Sequence, residues 1–180
     1  YAWAPRLARH FRVVRPDTRG FGDSTPMPRD FAWSMDRVID DYCQLMDGLG
    51  IERFHLIGAK IGGTIARAFA ARRPQRVRTL TVVGSPPPKR HYGKDALLKG
   101  IEHSIEDRAR SGMQGRLGSR FPPAAVEWWT RYMARTKVDS VLGFVNAINF
   151  SDIRADIANI RCPMLVITSD RSTLASVDET

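Results

Sequence analysis

Phe54-His55-Leu56-Ile57-Gly58-Ala59-Lys60-Ile61-Gly62-Gly63 is the stretch that decides how this chain folds. Phe54 to Ile57 reads as a buried strand. From Gly62 to Arg73 the spacing turns helical, with Gly62, Gly63, Ala66 and Ala70 on one face and Pro74 as the stop. Small residues allow a helix to lie close on a sheet. Glycines two positions either side of Lys60 let strand and helix meet in a sharp turn, whose central residue stands above the sheet at strained dihedrals. The N–H of Ile61 then opens the helix and is predicted to act as an oxyanion donor.

Outward from this turn the same alternation repeats. Phe11-Arg12-Val13-Val14 predicts a short strand, ended by Pro16 and the glycine-punctuated turn Asp17 to Ser24. Ser34 is a helix cap for Val38, Ile39, Tyr42, Leu45, Met46 and Leu49, with Gly48 and Gly50 closing the helix. Val77 and Leu80 to Val83 predict a second buried strand, ended by Gly84-Ser85-Pro86-Pro87-Pro88, and Met164 to Thr168 a third behind Pro163. Strand, helix, strand, helix, strand implies an α/β fold with a mostly parallel sheet covered by helices.

Residues 86–150 differ in character and predict an all-helical insertion, with helices near 94–110, 124–135 and 138–149. Leaving and rejoining at the carboxyl ends of strands, it is placed to lid a site there. The expected organisation is a first part of the core over 1–85, a helical cap over 86–150 and a second, truncated part of the core over 151–180.

The chain of 180 residues is 43% hydrophobic and 26% charged, the balance of an ordinary globular domain. It contains no run of eighteen apolar residues, and its first residues lack the basic-then-apolar layout of a signal peptide, so no membrane association and a cytoplasmic location are expected. Cys43 and Cys162 stand far apart with no C-x-x-C spacing, which argues against a zinc site or a disulfide framework. The net charge of +9 raises nucleic-acid binding as a class. However, the basic residues are spread, eleven Lys and Arg against six Asp and Glu over 86–150 and seventeen against thirteen elsewhere, and no nucleic-acid motif accompanies them. Solvated faces and no nucleic-acid partner are expected.

Five features taken together resemble the α/β-hydrolase superfamily, in particular its capped branch of lactonases, esterases, dehalogenases and epoxide hydrolases. They are the elbow at Gly58 to Gly63, the D-x-R-G-x-G-x-S turn from Asp17 to Ser24, the A-R-R-P-x-R-V close from Ala71 to Val77, the helical insertion, and the I-x-C-P-x-L-V-I strand from Ile160 to Ile167. The resemblance implies a nucleophile at the elbow, an acid in the turn after the third strand, and a later histidine. This sequence departs at each. Lys60 stands at the nucleophile position and no G-x-S-x-G occurs; the acid position holds Ser172, with Asp170 two residues early; the histidine would lie beyond Thr180. The family's His-Gly oxyanion loop and its strand would precede Trp3. The resemblance therefore implies an internal piece of a protein of roughly 270 residues, with a strand absent between those at Phe11 and Phe54 and unpaired edges left there.

The candidate site is thus Lys60, Asp170 and Ser172 as chemical groups, the Ile61 N–H as oxyanion donor, and Trp128 and Trp129 on a lid helix as substrate-binding residues, with Tyr132 and Met133 beside them. Lys60 has three open roles. The helix dipole and an apolar lid both favour a neutral amine, able to form a Schiff base or act as a base; as an ammonium it can hold an anion; or it snorkels to water with no catalytic part. Asp170 can pair with Lys60 or sit in the turn as a surface acid. Asp17, Arg19 and Ser24 are expected to be scaffold, with Arg19 reaching a carboxylate, and His10, His55, His91 and His103 to be surface or packing residues. The expected function is action on a small, partly apolar substrate under the lid without cofactor or metal. Serine ester hydrolysis is disfavoured, because an acyl group on lysine is a stable amide. The alternative is a non-catalytic binder of a small molecule or partner.

Overall fold

The computed structural model describes residues 3–89, 93–170 and 177. In chain order the elements are α1 (Ala4–Leu7), α2 (Met35–Gly48), β1 (Phe54–Ala59), α3 (Ile61–Arg72), a 3₁₀ turn (Pro74–Arg76), β2 (Val77–Val83), α4 (Lys94–His103), α5 (Ile105–Leu117), α6 (Pro123–Ala134), α7 (Val138–Phe144), a π-helical turn (Val145–Asn149), α8 (Arg154–Ile157) and β3 (Met164–Ile167). The strands form a parallel sheet in the order β1-β2-β3, with Leu56 beside Leu80, Ala59 beside Val83, and Val83 beside Ile167.

The main core lies between the sheet and α3. Residues 63–71 of α3 are all buried, mostly small or apolar side chains with the single charge of Arg67 among them. Phe69 tilts against Phe54 with ring centroids 5.5 Å apart, over Val77, Leu80 and Val82. The arginines that close α3 and the turn after it meet the acids of α2 pair by pair: Arg72 with Asp36 at 2.8 Å, Arg73 with Asp40 at 2.8 Å and Arg76 with Asp47 at 2.7 Å. Arg72 also reaches Asp156 of α8 at 2.8 Å, so one guanidinium joins three helices. Ser34 caps α2 by accepting from Arg37 N at 3.2 Å.

Two expected elements differ. Residues 11–14 form no strand; Phe11 is exposed and its ring stands edge-on to His55 at 5.9 Å. A ladder needs a partner on each side that is to count, and among the described residues β1 pairs with β2 alone. The sheet face turned away from α3 is likewise open: Ile57, Leu165 and Ile167 are exposed, with α1 laid over part of it around an apolar cavity of about 300 Å³. The single helix expected near 94–110 is two, because the Ser104 side chain accepts from Asp107 N at 3.0 Å and caps a new start.

The insertion keeps a small core of its own, Ile101, Ile105 and Leu142 with Leu97, Leu98 and Met133 against them. Its last helix belongs to both parts. Phe144 packs edge-on against Phe21 (4.9 Å) and Trp33 (5.3 Å), while the buried Ser140 hydroxyl accepts from Met27 N at 2.9 Å and donates to Met27 O at 3.1 Å. At the neck, Ile153 N donates to Pro88 O at 3.0 Å and Lys89 Nζ stands 3.3 Å from Asp152 Oδ2.

Candidate functional site

At the elbow, β1 runs into α3 through one residue. Lys60 has φ 54° and ψ −127°, and among the described residues it is the one non-glycine with positive φ. Bonds from both sides hold it there: Lys60 N donates to Val83 O at 3.0 Å, continuing the ladder, and Lys60 O accepts from Gly63 N at 2.9 Å, starting the helix. The glycines around it have unequal jobs. A Cβ on Gly58 would lie 2.3 Å from Gly62 O and 2.7 Å from Ala66 Cβ, and one on Gly63 would lie 1.8 Å from Ser85 Oγ. On Gly62 it would meet open space, so Gly62 is not the steric necessity that the spacing predicts.

The Lys60 side chain folds across the end of β2. Its Nζ is 3.4 Å from where a Cβ on Gly84 would sit, and Gly84 itself has φ +50° with its N–H on Ile167 O at 2.8 Å. The left-handed backbone is what favours glycine here, since an added Cβ would stand in ordinary contact with Nζ. The Ile61 N–H, at the first position of α3, meets no acceptor among the described residues. The amine of Lys60 and the open N–H of Ile61 are thus carried by consecutive residues at the positive end of α3.

The other expected members stand apart. Lys60 is exposed, so the cover that was to strip water from its amine does not lie on it. Asp170 is exposed too, with no hydrogen bond or ion pair joining it to Lys60. Ser172 and His91 lie outside the described residues. On α6, Trp128 is 50% exposed and stacks on Tyr132 (5.3 Å, 5° between planes); Trp129, half-buried, stands edge-on to both. No group of three His, Cys, Asp or Glu side chains among the described residues is arranged to hold a metal ion, and no helix is long and apolar enough to cross a membrane.

The turn at Asp17 to Ser24 is held by bonds of its own and by bonds to α2. Asp17 accepts from Asp23 N at 3.1 Å, its carbonyl accepts from the Ser24 hydroxyl at 2.9 Å, and a Cβ on Gly22 would strike its carboxylate at 2.2 Å. Arg19 grips Asp41 of α2 with two donors, Nε at 2.7 Å, and Thr18 bonds Tyr42 at 2.7 Å. Burial pushes the Tyr42 phenol upward, partly offset by that bond to Thr18.

Two residues at the site escaped the sequence reading. Gly84 was visible only as the end of a strand, although a glycine in that place signals a left-handed turn or a close approach. Arg67, buried at 2% exposure among the small residues of α3, was readable as the one charge in Thr64-Ile65-Ala66-Arg67-Ala68-Phe69-Ala70.

The comparisons with known proteins agree on the architecture. A family model described as alpha/beta hydrolase fold matches residues 1–110. The 2-hydroxymuconate semialdehyde hydrolase of a Pseudomonas species is 42% identical over 47% of this chain and 31% of its own length. The 2-hydroxy-6-oxo-2,4-heptadienoate hydrolase of Pseudomonas putida is 37% identical over 47% and 32%. The crystal structure of a hydrolase from Pseudomonas aeruginosa superposes with a TM-score of 0.85 at 27% identity, over 99% of this chain and 69% of that one. The matched stretch thus spans about a third of the length of these two curated relatives.

Proposed function

The chain belongs to the alpha/beta hydrolase fold family, and on that premise we propose that it binds a small, partly apolar carbonyl compound between the elbow and the helical lid, without the serine ester cycle. One observation carries this reading: the elbow keeps its strained geometry and its open N–H at Ile61 while presenting the amine of Lys60 in place of a hydroxyl. The two relatives named above act, by their names, on a semialdehyde and an oxo-dienoate, which are carbonyl compounds.

In this reading the Ile61 N–H donates to the carbonyl oxygen and draws electron density from carbon. The unprotonated Nζ adds to that carbon, giving a carbinolamine; transfer of protons to its oxygen and loss of water leave an imine on Lys60. Trp128 and Trp129 supply apolar wall when the lid bears on the substrate. Asp170, which follows β3, and Ser172, two positions later in the sequence, are the groups proposed to move protons.

The test uses the full-length protein. Borohydride with a panel of aldehydes and ketones is expected to fix an adduct on Lys60, absent in Lys60→Ala. No adduct with any member of the panel sinks the amine step. Turnover of short acyl esters that is indifferent to Lys60→Ala places the chemistry elsewhere. A second reading, a binder without turnover, is favoured by the exposure of Asp170 and its lack of a bond to Lys60; it predicts saturable ligand binding with neither adduct nor ester cleavage.

A further inference from the structure

Among the described residues Arg67 is a buried cation without a carboxylate. It stands on α3 two turns beyond Lys60, 2% exposed, and burial alone moves its guanidinium below arginine's usual range. Burying a charge unpaired is unfavourable, and a methionine of similar length would fill the same space without that penalty. What the guanidinium adds is direction. Its Nη2 donates to Pro86 O in a short bond and its Nε to Gly63 O at 3.4 Å.

The two carbonyls belong to different machinery. Gly63 is in the first turn of α3 and donates its own N–H to Lys60 O at 2.9 Å. Pro86 begins the outgoing arm of the helical insertion, and the three prolines 86–88 have fixed φ, making a stiff strut. At the far end of the strut Pro88 O accepts from Ile153 N of the returning arm at 3.0 Å, and Lys89 faces Asp152 at 3.3 Å. An unbroken line of bonds therefore runs from the neck of the lid, through Arg67, to the elbow.

We propose that Arg67 is a positioning residue that couples the neck of the lid to the elbow, so that a displacement of the lid is felt at Gly63 and hence at Lys60. This holds whatever molecule the lid covers, and it goes beyond the carbonyl chemistry proposed above.

Amide hydrogen exchange in the full-length protein tests it. In Arg67→Met the amides of Ile153 and Gly63 are expected to exchange about tenfold faster, the worth of a lost charge-assisted bond, while Leu80 in β2 keeps its rate. Arg67→Lys, which retains charge and one donor, is expected to recover part of the protection. Asp152→Asn, loosening the neck, is expected to speed Gly63 exchange when Arg67 is present and to leave it unchanged in the Arg67→Met background. Ile153, Gly63 and Leu80 rising together would mark a general packing role and overturn the proposal, as would equal effects of Asp152→Asn in both backgrounds. If Arg67→Met does not fold, the wild type decides: slowed exchange of the Arg67 guanidinium protons supports the clamp, and exchange at the free rate removes it.

Discussion

Helices α3 and α6 are both twelve residues long, and they solve opposite problems. The first is wedged between sheet, α2 and α8; nine of its residues are buried, and all but Arg67 and Phe69 of those nine are Gly, Ala, Thr or Ile. The second rests on α5, buries Thr130 alone, and carries two tryptophans and a tyrosine. Size runs against depth. Where a helix axis must approach a sheet closely, bulk is excluded, and where it is held only by a neighbour, large aromatic rings cover each other, Trp128 on Tyr132 and Trp129 across both.

The sharpest way to break this contrast is to remove a ring from each. Phe69→Ala in α3 is expected to lose about 3 to 5 kcal/mol of stability, because its surroundings are buried on every side. Trp128→Ala should lose only about 1 kcal/mol, the scale of an aromatic pair, since half its surface is already wet. Urea unfolding of the full-length protein measures both, and equal losses would contradict the contrast.

A smaller effect tests the elbow in the opposite sense. Lys60→Gly is expected to raise stability by about 1 kcal/mol, relief of the positive-φ strain less the entropy of a glycine, while abolishing any adduct on the amine. A loss of stability instead would mean that the side chain's rest across Gly84 outweighs the strain.

The smallest effect lies on the helices between β2 and β3. Glu127 bonds Arg110 at 2.7 Å and Arg131 at 2.9 Å on the α5–α6 surface, and these, Arg110 first, hold its carboxyl below the ordinary carboxylate range. A lowered value in the fold means that the contribution is present above the unfolded value near 4.5 and is lost as pH falls through the folded one. Glu127→Gln should leave the unfolding midpoint almost unmoved at neutral pH. In an NMR titration the Glu127 carboxyl should move back up in Arg110→Gln and also in molar salt.

These contrasts explain how much the sequence discloses. The elbow, the Ser34 cap, the central strands and the helical insertion were legible, since each depends on local sterics or on a short period that the residue order states directly. Phe11 to Val14 carried the same apolar signal as a strand and is not one, because pairing is a property of a neighbour. The Ser104 break was written in the residue type but outweighed by the periodicity on either side. At the site the backbone could be read and its surroundings could not: Lys60 stands where the motif puts it, yet its exposure, its place over Gly84 and its separation from Asp170 depend on contacts between segments more than twenty residues apart. Arg67 shows the same limit, since a lone arginine in a small-residue helix gives no hint of the carbonyl it finds nineteen residues later.

The two bonds between Ser140 and Met27 join positions 113 residues apart. On a ribosome adding about 5–20 residues per second, the peptide group of Met27 waits on the order of ten seconds for the hydroxyl that completes it. The loop around Gly20 to Trp33 is thus among the last parts of the amino half to set. During synthesis it stays without this contact until the helix that carries Ser140 has been made.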